Sequence, residues 1–244
     1  MALMKILITN DDGLFAPGIV PLVEWAKRLG EVTVVAPKVE QSAKSHAINF
    51  TSPIEIKKVD LFEGVEAYAM DSTPADCVRF GITGLKRGYD LVLSGINRGV
   101  NLGADIIYSG TIAAIFEAAY WKTRAIAFST YPDNRDFAAS KLDEVYEYFK
   151  KNSLFDKGLI YNVNIPERVC GIKVTYQGSP YFDAGFDRLG NDMYMQTGDM
   201  LPDEFPGDLD RDTVALKNGF ITVTPLTLSR LDSEAYKNLK STGL

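Results

Sequence analysis

The 244-residue chain contains a single histidine, His46. That scarcity excludes zinc sites built on several imidazoles, a two-histidine phosphoryl relay and an HExxH protease. Cysteine is almost as rare: Cys77 and Cys170 are far apart and match no zinc-ligand spacing. They read as two buried or free thiols and not as a disulfide framework. Positive charge is short too, with 26 Lys and Arg against 32 Asp and Glu, a net charge of -6. No basic field is left for a phosphate backbone, so no nucleic-acid partner is expected, although helix ends can still hold a small anion. No apolar run is long enough to span a bilayer, and the start MALMKILITNDDG lacks the length and cleavage context of a signal peptide. A cytoplasmic protein without membrane partners is the simplest expectation. Its chemistry has to run on carboxylates, hydroxyls and amides, with or without a metal ion.

What is present is an ordinary globular composition, 46% hydrophobic and 24% charged. Short apolar runs ended by small or polar residues recur at KILIT (5 to 9), VTVVAP (32 to 37), LVLSG (91 to 95) and AIAFST (125 to 130). Such runs fit strands buried on both faces, as in a parallel sheet. Helices are expected between them: from Pro17 to Leu29, with Gly30 at the C-terminus; from the Thr73-Pro74 start to Leu85; over Ser109 to Lys122; and from Phe137 to Lys151. This alternation predicts an α/β fold with a mainly parallel sheet. After about residue 166 the character changes, and Gly, Pro, Asp and aromatics crowd residues 178 to 212 without helical period. GFITVTPL (219 to 226) reads as a late strand and the tail from Ser233 as a short helix. We expect one domain over 1-244, with an α/β core over about 1-165 and a β-rich, oligomer-forming C-terminal arm over about 166-244.

In open α/β sheets ligands bind beyond the carboxyl ends of the strands. The first strand is followed by Asn10-Asp11-Asp12-Gly13. Two carboxylates about 4 Å apart repel by ~1 kcal/mol in water and ~4 kcal/mol at an effective dielectric of 20. A divalent cation removes that conflict, and oxygen ligands suit Mg²⁺, Mn²⁺ or Ca²⁺. Strand alternation would send neighbours to opposite faces, so both reach one ion only after the strand has ended, in a turn that Gly13 permits. A solvated Asp-Asp-Gly turn is the other reading. The loop after LVLSG runs from Asn97 through Asn101 to Ser109-Gly110-Thr111 at a helix start, where glycines and free N–H groups suit a phosphate. Asn97 can give an amide oxygen to a metal or a donor to a phosphate. An ordinary glycine-rich turn with a helix cap stays open beside it. The loop is not a Walker loop, and no GxGxxG follows the first strand. Ser42 and His46 lie after the second strand, where a hydroxyl can complete a coordination shell and an imidazole can act as acid or orient a phosphate; taken alone both are loop residues. Asp71 and Asp76 are read as structural capping residues.

Taken together, ILITNDDGLFAPGI, VVAPKVEQSAKSHAI, STPADCVRFGI, DLVLSGINRGVNLGADIIYSGTIAAIFEA and GFITVTPL resemble the SurE survival-protein family of metal-dependent 5′-nucleotidases. The runs keep the family's order and are densest over residues 5 to 130. The resemblance implies a Rossmann-like three-layer core, a C-terminal segment exchanged in dimers or tetramers, and one divalent cation per subunit. It implies cation ligands at Asp11, Asp12, Ser42 and Asn97, and a phosphate pocket at Ser109, Gly110 and Thr111 with Asn101 nearby. Asp11, Asp12, Asn97 and Ser109 become the expected catalytic residues, and nucleoside 5′-monophosphates the expected substrates. Ser72 and Ala43 stand where the family commonly has glycine; neither change removes a ligand. A haloacid-dehalogenase-like phosphatase would need an aspartate where Gly13 stands. A nucleotide-binding regulator without turnover remains the alternative from another class.

Overall fold

The computed structural model describes residues 3–202 and 204–242. The chain runs β1 (Met4–Thr9), α1 (Ile19–Ala26), β2 (Gly30–Pro37), β3 (Ile56–Val59), β4 (Glu66–Met70), α2 (Pro74–Arg79), β5 (Leu91–Arg98), α3 (Gly110–Tyr120) and β6 (Arg124–Thr130). It continues through α4 (Arg135–Ser140), α5 (Leu142–Lys151), β7 (Ile160–Ile165), β8 (Gly171–Val174), β9 (Gly185–Gly190), β10 (Met193–Thr197), α6 (Asp212–Lys217), β11 (Phe220–Leu226) and α7 (Ser233–Ser241).

Nine strands form one sheet in the order β3-β4-β2-β1-β5-β6-β7-β11-β8. Its pairs are parallel except β3 with β4 and β11 with β7. Ile6, Leu7 and Ile8 are all fully buried, the mark of a strand covered on both faces. Alternation sends Ile6 and Ile8 toward Leu22, Trp25, Leu142 and Phe149 of α1 and α5. Leu7 goes to the other face with Cys77, Val78, Ile112 and Ile115 of α2 and α3. This is the expected three-layer α/β sandwich. The part after residue 166 contributes β8 and β11 to the main sheet and forms the separate β9–β10 hairpin. Cys77 is buried and Cys170 exposed, both as free thiols. Among the described residues no helix is long and apolar enough to cross a membrane.

Several elements differ from the sequence expectation for local reasons. The first helix starts at Ile19, after Pro17, and ends at Ala26, short of Leu29. Gly30 is not a helix C-terminus but the first residue of β2, paired with Met4, whose carbonyl oxygen would lie 2.0 Å from a Cβ. Thr73 caps α2 by accepting the Asp76 N–H at 3.2 Å, but the helix widens into a π turn over Phe80–Gly84. The helix expected from Phe137 is two helices that meet at Lys141, with Leu142, Val145 and Phe149 on the buried face of the second. Asp76 is structural without capping: its carboxylate accepts the Asn49 N–H at 2.8 Å and the Ser72 hydroxyl at 2.5 Å.

Candidate active site

From β1 the chain steps to β2 and β4 on one side, while β5, β6 and β7 fill the other. The strand order therefore reverses between β1 and β5, and a crevice opens beyond their carboxyl ends. Thr9 ends β1, and Asn10 staples the turn that follows. The Asn10 amide donates to the Gly13 carbonyl at 2.8 Å and accepts the Gly13 N–H at 3.2 Å. Gly13 itself has φ +102°, a conformation open to glycine and costly for other residues. The strand has thus ended before Asp11, and both carboxylates escape the pleat that would have separated them.

Asp11 is only 5% exposed. Its carboxylate accepts the Thr111 hydroxyl and meets the Thr111 backbone N–H at the start of α3. Burial, reinforced by the charge of Asp12, outweighs those hydrogen bonds and raises Asp11 to about 6. Asp12 is less enclosed; its Oδ2 accepts the Arg98 N–H at 3.1 Å. Burial raises it as well, with the nearby Glu40 adding to the effect while Arg98 and Arg135 oppose it.

Asn97 lies at the end of β5 and not in a free loop. The register with β6 jumps from Ser94–Ala127 to Asn97–Ser129, a bulge that re-aims the strand end. The Asn97 amide nitrogen donates to the Gly99 carbonyl at 2.8 Å. A carbonyl can only accept, so this bond turns the Asn97 Oδ1 away as the donor atom for a cation. Ser42 is exposed and donates to Glu40 Oε1 at 2.6 Å. Its loop is tied to the turn by the Gln41 N–H, which donates to the Asp11 carbonyl at 2.8 Å.

At the head of α3, Ser109 Oγ accepts the Ile112 N–H at 3.1 Å. That leaves its own O–H to donate. Gly110 packs against the Asp11 side chain. Asn101 faces elsewhere: its N–H donates to Asn164 Oδ1, its amide nitrogen to Ser129 Oγ, and its carbonyl accepts from Asn162 and Asn164. The structure thus brings together Asp11, Asp12, Gly110 and Thr111, with Asn97 joined through the Arg98 backbone. It gives Asn101 the task of anchoring the loop. His46 is 3.0 Å from Glu117, on a cavity of about 400 Å³ that Ser109 also lines.

Sequence reasoning missed Glu40, Arg98, Arg135 and Glu117. Glu40 and Arg98 carried a signal, since each follows a strand within a loop already singled out; Arg135 and Glu117 carried none. Among the described residues no three His, Cys, Asp or Glu side chains gather as for a metal ion.

A mainly parallel sheet that sets a carboxylate pair and a helix N-terminus at its switch point defines an open α/β protein whose ligands are expected at that crevice. The chain belongs to the SurE family: the profile described as "Survival protein SurE" matches residues 6–184. It is 38% identical to the 5′-nucleotidase SurE of Caldanaerobacter subterraneus subsp. tengcongensis, covering 99% of this chain and 98% of that one. The 5′-nucleotidase SurE of Thermosipho melanesiensis is 37% identical, with 97% and 96% covered. Among solved structures, the SurE protein from Aquifex aeolicus superposes with a TM-score of 0.79 at 34% identity, covering 98% of this chain and all of that one.

Proposed function

We propose that the chain is a divalent-cation-dependent 5′-nucleotidase that hydrolyses nucleoside 5′-monophosphates to nucleoside and phosphate. The observation that carries this reading is Asp11, a buried carboxylate held between Asp12 and the N-terminus of α3. The names of the relatives above support the same activity. The donor set fits a hard cation: Asp11, Asp12, the Asn97 amide oxygen and the Ser42 hydroxyl offer oxygen only, and the two neighbouring carboxylates keep raised pKa values although Arg98 and Arg135 lie near Asp12. Mg²⁺, Mn²⁺ and Ca²⁺ all suit such a set. A cation bound there would supply Lewis-acid polarisation of a phosphate oxygen.

The chain's own groups do the rest. The Ser109 O–H and the Gly110 N–H at the start of α3 bind and orient the phosphate, where the helix dipole favours its charge. Thr111 holds Asp11 in place through its hydroxyl and backbone N–H. Asp12 keeps Oδ2 on the Arg98 N–H, so Oδ1 is the atom that takes a proton from an attacking water.

We also read the C-terminal segment as the exchanged arm of a homodimer or homotetramer. Phe186, Leu189, Met193, Tyr194 and Met195 of the hairpin, and Tyr236 and Leu239 of α7, are exposed in the single chain. The acidic composition argues against nucleic acid as a substrate, and we read the chain as a cytoplasmic enzyme acting on small molecules. Phosphate release from a panel of nucleoside monophosphates, with Mn²⁺, Mg²⁺ or EDTA, tests the activity. Release with either metal and none in EDTA is expected. No release from any substrate would leave a nucleotide-binding protein without turnover. Sedimentation velocity of the full chain tests the assembly, where a monomer would end the arm reading.

A further inference from the structure

A cavity of about 400 Å³ reaches the head of α3 at Ser109, without Asp11 or Asp12 in its wall. Ser109, Ala113 and Phe116 line it and stand at i, i+4 and i+7, so they share one face of α3 about 10 Å long at 1.5 Å per residue. The same helix starts with Gly110 and Thr111 against Asp11. A ligand whose phosphate sits at that start therefore lays its remainder along Ala113 and Phe116. Ile106 and Ile107 add to the apolar lining.

The far end is held more firmly than an apolar pocket requires. The His46 ring lines the cavity and stacks on Phe116, with centroids 6.4 Å apart and planes inclined by 21°. Its Nε2 lies 3.0 Å from Glu117 Oε2. Glu117 is 1% exposed and also accepts the Trp121 indole N–H at 2.8 Å and the Arg79 Nη2 at 3.3 Å. A carboxylate only accepts, so the proton on Nε2 faces Glu117 and Nδ1 becomes the other polar atom of the ring. Arg79 already balances the charge of Glu117, so the bond to His46 serves to orient the imidazole. The α3 side of the cavity is apolar and ends on a fixed aromatic wall, while Gln177, Ser229 and Arg230 line it elsewhere; one helix face away from a phosphate subsite, that wall suits a flat heteroaromatic group.

We propose that this cavity takes the nucleoside half of the substrate, and that His46, positioned by Glu117, is a specificity-determining residue against which the nucleobase packs. The proposal rests on the phosphomonoesterase reading above. It is tested with His46→Ala, His46→Asn and Glu117→Gln, comparing nucleoside 5′-monophosphates with ribose 5-phosphate, which keeps sugar and phosphate but has no base. For His46→Ala the kcat/KM ratio of nucleotide to ribose 5-phosphate is expected to fall about tenfold, in the range of base–aromatic stacking, and through KM more than kcat. Glu117→Gln should move it the same way by a smaller factor, and His46→Asn should recover part of the loss. Equal losses on both substrates, or no change on either, overturn the proposal. Melting curves identify a variant that has not folded, and His46→Asn then decides in place of His46→Ala. If the wild-type protein hydrolyses neither substrate, the hydrolase reading fails and equilibrium dialysis with a nucleoside monophosphate judges the cavity. Binding that is weakened in the folded His46 variant supports the proposal; unchanged or absent binding overturns it.

Discussion

Gly110 and Asp11 are packed so closely that a Cβ on Gly110 would lie 2.9 Å from the Asp11 Cβ and 3.2 Å from its Oδ2. Pro74 Cγ, at 3.2 Å from the same point, blocks retreat on another side. Gly110→Ala must therefore push Asp11 off Thr111. Overpacking of this kind costs ~1–3 kcal/mol, more than the ~1 kcal/mol at most that alanine returns in helix propensity. We expect a melting temperature lowered by a few degrees and at least a tenfold loss of phosphate release. Wild-type turnover in this variant would place the chemistry away from Asp11.

Without a cation the charge on Asp11 works against the fold. Its folded pKa, about 6, lies above the ordinary 3.8, so the folded state binds the proton more tightly. The stability Asp11 contributes is present below the ordinary value and is lost as pH rises from about 4 to about 6. Asp11→Asn should then stabilise the EDTA-treated protein at pH 7 by ~1–3 kcal/mol, at 1.36 kcal/mol per pKa unit, and have little effect at pH 4. It should also abolish turnover. Thermal melts at the two pH values read the first effect, and adding Mn²⁺ should raise the melting point of the wild type but not of the variant. A variant no more stable than wild type at pH 7 would mean that the buried carboxylate is already compensated.

Glu117 has the opposite sign. Burial pushes it up, but hydrogen bonds from His46 and Trp121, with the charge of Arg79, outweigh burial and hold it below the ordinary range. Its stabilising contribution is therefore present above the ordinary value of 4.5 and is lost as pH falls through the lowered one. Glu117→Gln should lose ~1–3 kcal/mol at pH 7 through weaker charge-assisted bonds. It should also flatten the fall in stability below about pH 4.5, as read by urea denaturation at pH 7 and pH 3.5. An unchanged acid limb would remove Glu117 from the acid response.

These networks also show what a sequence conveys. The fully buried run Ile6-Leu7-Ile8 announces its strand because nothing polar interrupts it. The strand Ile160–Ile165 does not, because Asn162 and Asn164 sit inside it, fully buried. Those asparagines make sense only beside Asn101, more than sixty residues away in sequence. The edge strand Ile56–Val59 carries two lysines on its four residues and reads as surface. In the same way, the TNDDG turn and the helix start at Ser109 were legible because each is local chemistry. The pairing of His46 with Glu117, across 71 positions, is a product of the fold alone.

Asn164 offers a direct test of the loop anchor. It is fully buried, and its amide bonds both the N–H and the carbonyl of Asn101 at 2.8 Å. Asn164→Ala removes both partners while Asn162 still serves the carbonyl. The unpaired N–H should cost ~1–3 kcal/mol in urea denaturation, and turnover should fall as the 99–103 loop shifts. Full stability and activity in Asn164→Ala would show that the loop holds its shape without this network.

The reversal of strand order between β1 and β5 has a further consequence. Apart from Ser42, the groups assigned to chemistry hang from the ends of β1 and β5 and from the helix packed on them, where the sheet has least freedom to change. On the reading proposed above, much of the wall that meets the rest of a substrate comes instead from loops, those of Ser45-His46 and of Thr227 to Arg230 among them. A change of substrate range can therefore be made in those connections while the hydrolytic centre keeps its geometry. On that reading, catalysis and selectivity can be altered separately in this chain.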